Sequence, residues 1–177
     1  MKLAIIELLL ITTAAGIVFG QTGNRTEFNG LAELFPEIRG CRRAVLPPVW
    51  KETIFEQSAD YELTVGTDNA AAELCGRITL RIEPGLRTKT RREFAAQPQM
   101  LFNRKYRFKN FEAYSYSPQC GNDPWLGTNS VYFDADKVLT VEARRGGAQL
   151  FEFLEQADYS LLKDKMEDLI RSRPNRN

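Results

Sequence analysis

Hydrophobic residues follow three different rhythms along this chain of 177 residues. From Leu3 to Phe19 they form a nearly continuous run behind the cationic Lys2, and Val18-Phe19-Gly20 sets small residues at the two positions a signal peptidase reads. The run is close to a minimal membrane span of about 18–20 residues, but Glu7 is costly inside it. Gly16 and Gly20 weaken a continuous helix, and the cleavage pattern favours removal over an uncleaved anchor. The expectation is a signal peptide over 1–20 and one secreted, extracellular globular domain over 21–177, with no membrane span left after cleavage.

The second rhythm is helical. Leu31, Leu34, Phe35 and Ile38 recur at i, i+3, i+4 and i+7. Pro36 interrupts that helix or starts a second short one reaching about Val45, and Pro47-Pro48 ends the segment. Beyond Trp50 the period drops to two. Tyr61, Leu63 and Val65 alternate with polar residues up to a turn at Gly66-Thr67-Asp68-Asn69, and Ile78, Leu80 and Ile82 alternate up to Pro84-Gly85. Tyr106 and Phe108 alternate likewise. Phe111 is out of phase, which predicts a bulge or bend near Asn110, before Tyr114 and Tyr116. Val131 and Phe133, a turn at Asp134-Ala135-Asp136-Lys137, and Val138 to Ala143 predict a hairpin.

Gln149 to Glu155 fits a strand or a first helical turn equally well. From Tyr159 the helical period returns, with Tyr159, Leu162, Met166, Leu169 and Ile170 on one face. Lys163–Glu167 and Glu167–Arg171 form i,i+4 pairs on the other, and Asp158 or Ser160 is the candidate N-cap. The order is a short N-terminal helical segment, about six or seven strands and an amphipathic C-terminal helix. This is a β-rich α+β chain whose strands run as an antiparallel meander or curl into a barrel.

Composition narrows the chemistry. There is no histidine, which excludes Ser-His-Asp and Cys-His catalysis, histidine-ligated metals and histidine pH switching. No pair stands out among the 23 acids, so the chain reads as non-enzymatic, with no cofactor and no metal. Cys41, Cys75 and Cys120 are spaced too widely for a zinc knuckle. In an oxidising compartment three cysteines give one bridge and one odd thiol, or a link to another chain. Of the three pairings, Cys75–Cys120 is preferred, because each is followed by glycine and both lie in the strand-rich middle. Asn24-Arg25-Thr26 is a glycosylation sequon just after the expected cut. Asp134 and Asp136 match only a fragment of a calcium loop.

Two features are candidates for binding. The aromatics Tyr106, Phe108, Tyr114 and Tyr116 are dense enough to line an apolar cavity with hydroxyls facing a ligand, or simply to fill a core. Between Arg77 and Lys109, ten Lys and Arg face only Glu83 and Glu93, a net charge of +8 in a chain of net +1. Arg91, Arg92, Lys105 and Arg107 from this stretch, together with Trp125 in the loop 118–127, are the candidate surface for an anionic glycan or a protein. The plainer alternative is a solvated strand face whose charges pair with the acidic C-terminal helix. Secretion makes nucleic acid an improbable partner.

A strand run followed by a C-terminal helix, in a secreted chain of this length, resembles a lipocalin. Where that family carries Gly-x-Trp this chain has Pro48-Val49-Trp50, and Ala157-Asp158-Tyr159 is a partial echo of its Thr-Asp-Tyr. The resemblance implies a barrel holding a small apolar or amphipathic ligand without catalysis. The competing expectation is an interaction protein that works through its basic face or the Trp125 loop.

Overall fold

A computed structural model describes residues 30–63, 74–96, 103–117, 125–144 and 147–173. The expected signal peptide, Asn24, the turn at 66–69 and Cys120 lie outside the described residues. The period-two segments form β1 (Cys41–Val45), β2 (Val49–Lys51), β3 (Ile54–Leu63), β4 (Leu74–Ile82), β5 (Asn103–Phe108), β6 (Phe111–Tyr116), β7 (Trp125–Tyr132) and β8 (Lys137–Arg144). Among the described residues three α-helices accompany them: α1 (Leu86–Ala96), α2 (Glu152–Gln156) and α3 (Tyr159–Arg171). The fold is therefore a β-rich α+β arrangement, mostly one antiparallel sheet.

The strand order is β1-β3-β4-β8-β7-β6-β5, with β2 paired to β3. The sheet is open, with β1 and β5 as its end strands, and its order is not that of a simple meander. After the β3–β4 hairpin the chain leaves the sheet through α1, crosses to the far edge, and returns strand by strand until β8 pairs with β4. Helix α1 was not expected. Its eleven residues include four Arg or Lys and bury only Leu86, so no apolar stripe announces it. Good helix formers after the Pro84-Gly85 turn support it instead.

Two local expectations are corrected. Cys41–Val45 is a strand rather than helix, because β3 offers a full antiparallel register from Cys41↔Leu63 to Val45↔Ala59; long-range pairing overrides the local pattern. The helix expected from Leu31 shrinks to a 3-10 turn over Ala32–Leu34, and Phe35 is already extended, as a residue before proline prefers to be. The bend expected near Asn110 is there: Lys109 and Asn110 form a tight hairpin turn between the paired Phe108 and Phe111, which puts Phe111 out of phase, with Lys109 left-handed at φ 50°. The ambiguous stretch after Gly147 resolves as a 3-10 turn, Ala148–Phe151, running into α2.

The hairpin at Asp134–Lys137 and the C-terminal helix form as expected. Asp158 caps α3, its carboxylate accepting from the amides of Ser160 and Leu161 at 3.0 Å each. The pairs Lys163–Glu167 (3.9 Å) and Arg171–Glu167 (3.6 Å) both form. Tyr159, Leu162, Met166 and Leu169 are buried, whereas Ile170 is 44% exposed.

Alternation gives the sheet two unlike faces. Phe55, Ala59, Tyr61, Ile78, Leu80, Val131, Leu139 and Val141 join Leu31, Phe35, Leu150 and the buried side of α3 in one core. The phenol of Tyr61 donates to the Pro36 carbonyl at 2.9 Å. Gln57, also buried, accepts from the Leu31 amide at 2.6 Å and so fastens the N-terminal turn to the sheet. Gly30, at φ +59°, makes room for it: a Cβ there would stand 2.4 Å from the Gln57 side-chain oxygen. The opposite, outer face carries α1. Among the described residues no helix is long and apolar enough to cross a membrane.

Candidate functional site

On the outer face, strand pairing aligns Tyr114 with Ser130, Tyr116 with Thr128, and Tyr132 with Val138. Because each strand alternates, these side chains stand on one side of β6, β7 and β8. Leu86 and Phe94 of α1 close on Tyr114, Tyr132 and Val138 to form a second, smaller apolar cluster. The rings of Phe94 and Tyr114 meet edge-on at 5.0 Å between centroids, and those of Tyr114 and Tyr132 at 5.7 Å. The Tyr132 hydroxyl is tied to Thr90 of α1 at 2.8 Å.

Helix α1 does not seal this face. Between it and β5–β7 lies a cleft of about 570 Å³. Tyr114 and Tyr132 are buried at its base, Phe94 and Thr90 form the helix side, Thr128 and Ser130 supply hydroxyls, and Glu93 supplies a carboxylate. Tyr116 stands half exposed at the rim. Burial, followed by the hydrogen bond to Glu112, pushes the Tyr114 phenol up; burial does the same for Tyr132. Both therefore remain neutral hydroxyls. Aromatic faces beside several hydroxyls suit a small molecule with one flat or apolar surface and a few polar groups.

A second cleft, about 520 Å³, is lined by Glu112, whose carboxylate also receives the Tyr114 hydroxyl from the base of the first. Arg87, Arg91, Lys105 and Arg107 surround that single carboxylate. Glu112 receives the Arg91 guanidinium at 2.8 Å, the Lys105 ammonium at 3.1 Å and the Tyr114 hydroxyl. The hydrogen bond from Arg91, against the opposing effect of burial, draws its pKa down to about 2. Among the described residues Arg87 and Arg107 form no ion pair.

The four aromatics expected to share one cavity are thus divided. Tyr114 and Tyr116 line the outer cleft, whereas Tyr106 and Phe108 turn to the other face and pack against the main core. There the Tyr106 hydroxyl donates to Asn129 at 2.9 Å, and Phe108 lies edge-on to Tyr159. Arg91, Lys105 and Arg107 come together, while Arg92 is exposed on α1 outside that cleft. Trp125 begins β7, and its side chain lies outside what is described. Sequence reasoning missed Phe94, Thr90, Tyr132, Thr128 and Ser130. The register of β6, β7 and β8 could have grouped the last three, but nothing local placed α1 over them.

Among the described residues the basic stretch forms no ion pair with the C-terminal helix, which packs on the opposite face; only Lys109 reaches it, over the Tyr159 ring at 5.3 Å. The partners of the stretch lie nearby: Arg77 with Asp60 at 2.6 Å, Arg81 and Lys89 with Glu83, and Arg91 and Lys105 with Glu112. Lys109 donates to the Glu155 carbonyl at 2.7 Å. Asp134 is engaged by Lys137 at 3.0 Å and Lys163 at 3.4 Å, and Asp136 accepts from the Gly85 amide at 2.7 Å. The carboxylates of the calcium-loop fragment are thus committed to holding the hairpin and α1. The sulfurs of Cys75 and Cys41 stand 2.8 Å apart, while the expected partner, Cys120, lies outside the described residues.

Compared with protein-family models, with curated proteins and with solved structures, the chain matches none.

Proposed function

We propose that this chain is an exported, non-catalytic binding protein that takes a small amphipathic molecule into the cleft between α1 and the outer face of β5–β7. One observation carries the reading: a cleft of about 570 Å³ whose base is aromatic and whose sides carry hydroxyls and one carboxylate. That volume and that mixture of surfaces are typical of small-molecule sites. The open sheet supports a site on its outer face, because α3 and the N-terminal turn occupy the face that a closed barrel would wrap around a guest.

The test is a fluorescence titration of the purified chain with 1-anilinonaphthalene-8-sulfonate, an aromatic amphiphile. Saturation at one probe per chain is expected, with Thr128→Trp, which fills the cleft, removing it and leaving the thermal melt unchanged. No saturable binding, or binding that Thr128→Trp leaves intact, would overturn the reading.

The basic cleft favours a second reading, an exported protein that engages a sulfated glycan. Four cations around one carboxylate leave a local excess of positive charge. Salt-sensitive retention on heparin, lost in Arg87→Glu/Arg107→Glu, is the outcome it requires. Equal retention of that variant removes it.

A further inference from the structure

We infer that Cys41 and Cys75 are partners in a structural disulfide, and that Cys120 is the odd thiol. Cys41 opens β1 and Cys75 is the second residue of β4, so the two flank β3 on either side. The register of β3 and β4 slips between Tyr61 and Glu62, leaving Cys75 as the extra residue of β4, while Cys41 pairs with the neighbouring Leu63. At that slip the ends of β1 and β4 bring the two sulfurs to 2.8 Å, and both residues are buried. This is longer than a sulfur–sulfur bond, about 2.05 Å, and well inside the separation that two unbonded sulfurs hold at rest. Closing the gap takes less than about 1 Å of side-chain travel.

The surroundings seal the pair. Gly147 approaches the Cys75 carbonyl so closely that a Cβ at 147 would stand 2.1 Å from it. The Gln149 amide lies 3.5 Å from the Cys41 sulfur. The segment before α2 therefore covers the pair once the chain is folded, and a bridge formed beforehand is shielded from reductant. Oxidation releases two protons and passes two electrons to a disulfide oxidant, whose own disulfide becomes two thiols. An oxidising compartment supplies such an oxidant, so formation in the cell rests on the export part of the proposed function. The choice of partner rests on the fold alone.

The experiment separates the two. Full-length chain is refolded with reduced and oxidised glutathione, alkylated without reduction in denaturant and digested with trypsin. The three cysteines fall in different peptides, Gly40–Arg42, Glu52–Arg77 and Asn110–Lys137. The expected product joins the first two and leaves the third alkylated. A link to the Cys120 peptide, or three alkylated cysteines, would overturn the pairing. A joined pair in the refolded chain but free thiols in chain recovered from cells upholds the pairing and overturns export. The bridge closes a separation of 34 residues, so Cys41→Ala/Cys75→Ala should melt roughly 10 °C below the wild type. Cys120→Ala should melt with the wild type; an equal drop in Cys120→Ala would also overturn the assignment.

Discussion

On the core face of the sheet, Phe55, Tyr61, Leu80 and Leu139 are shut away beneath α3, the turn at Ala32–Leu34 and the segment 148–156. On the outer face, Thr79, Thr140, Ser130 and Tyr116 stay within reach of water under a helix that covers only part of the surface. Both faces come from the same strands read one residue out of step. The outer face satisfies itself laterally: Ser58 bonds Thr79 at 2.9 Å, Ser130 bonds Thr140 at 3.0 Å, and Arg77 holds Asp60 at 2.6 Å. Rows of this kind need no cover, since each group already has a partner in the next strand. The core face has no such rows and needs α3 to remove it from water. The buried core and the proposed binding cleft therefore lie on opposite sides of one sheet, and substitutions should separate stability from binding.

The largest effect is expected on the core side. Phe55 is fully buried, and its ring lies tilted against that of Trp50 with centroids 4.9 Å apart. Phe55→Ala should cost about 3–5 kcal/mol in urea unfolding. Probe binding in the outer cleft should survive wherever the variant remains folded. A cost below about 1 kcal/mol would mean that the core face is not what holds the fold.

The next effect falls on the outer face. The Glu112 carboxyl titrates at about 2 in the folded chain against an ordinary 4.5. Because the folded value is depressed, its contribution is complete above about pH 4.5 and drains away as pH falls toward 2. About 2–3 kcal/mol is at stake. Glu112→Gln should be less stable than the wild type by about that amount at pH 7 and equal to it near pH 2. Parallel stability curves for the two proteins would show that Glu112 does not anchor Arg91 and Lys105.

Most of the core face was legible in the chain, and little of the outer face was. Leu80, Leu139 and the Leu162/Met166 stripe announce themselves because burying apolar area imposes a period of 2 or 3.6 on the sequence. Asp158 is equally readable, since a cap needs only a side-chain oxygen beside the first turn. The outer cleft depends on α1 crossing from β4 to β5, and a helix with four cations and one buried residue writes no such period. The grouping of Tyr106 and Phe108 with Tyr114 and Tyr116 failed for a related reason. The Lys109-Asn110 turn sets the phase in which β5 meets β6, so that Tyr106 opposes Ala113 and Lys105 opposes Tyr114. Composition counts aromatics but does not say which side of the sheet they take.

A smaller effect tests how firmly α3 closes the core face. Its cap is the Asp158 carboxylate on two amides, and Asp158→Ala should cost about 1 kcal/mol in the same unfolding assay. A cost as large as that of Phe55→Ala would place the cap, rather than the buried stripe, in control of α3.

The smallest effect on stability is expected at the rim of the outer cleft. Tyr116 ends β6 opposite Thr128 and is 47% exposed, so Tyr116→Thr removes an aromatic face while keeping a residue suited to a strand. Unfolding free energy should change by no more than about 0.5 kcal/mol. If a bound aromatic probe lies against that ring, losing the contact should remove about 1 kcal/mol of affinity, roughly a fivefold rise in Kd. Affinity falling while the melt holds would mean that the two faces divide binding from stability. A melt that drops along with the affinity would mean that the rim is part of the folded framework, and the division between the faces would fail at the position where it should be cleanest.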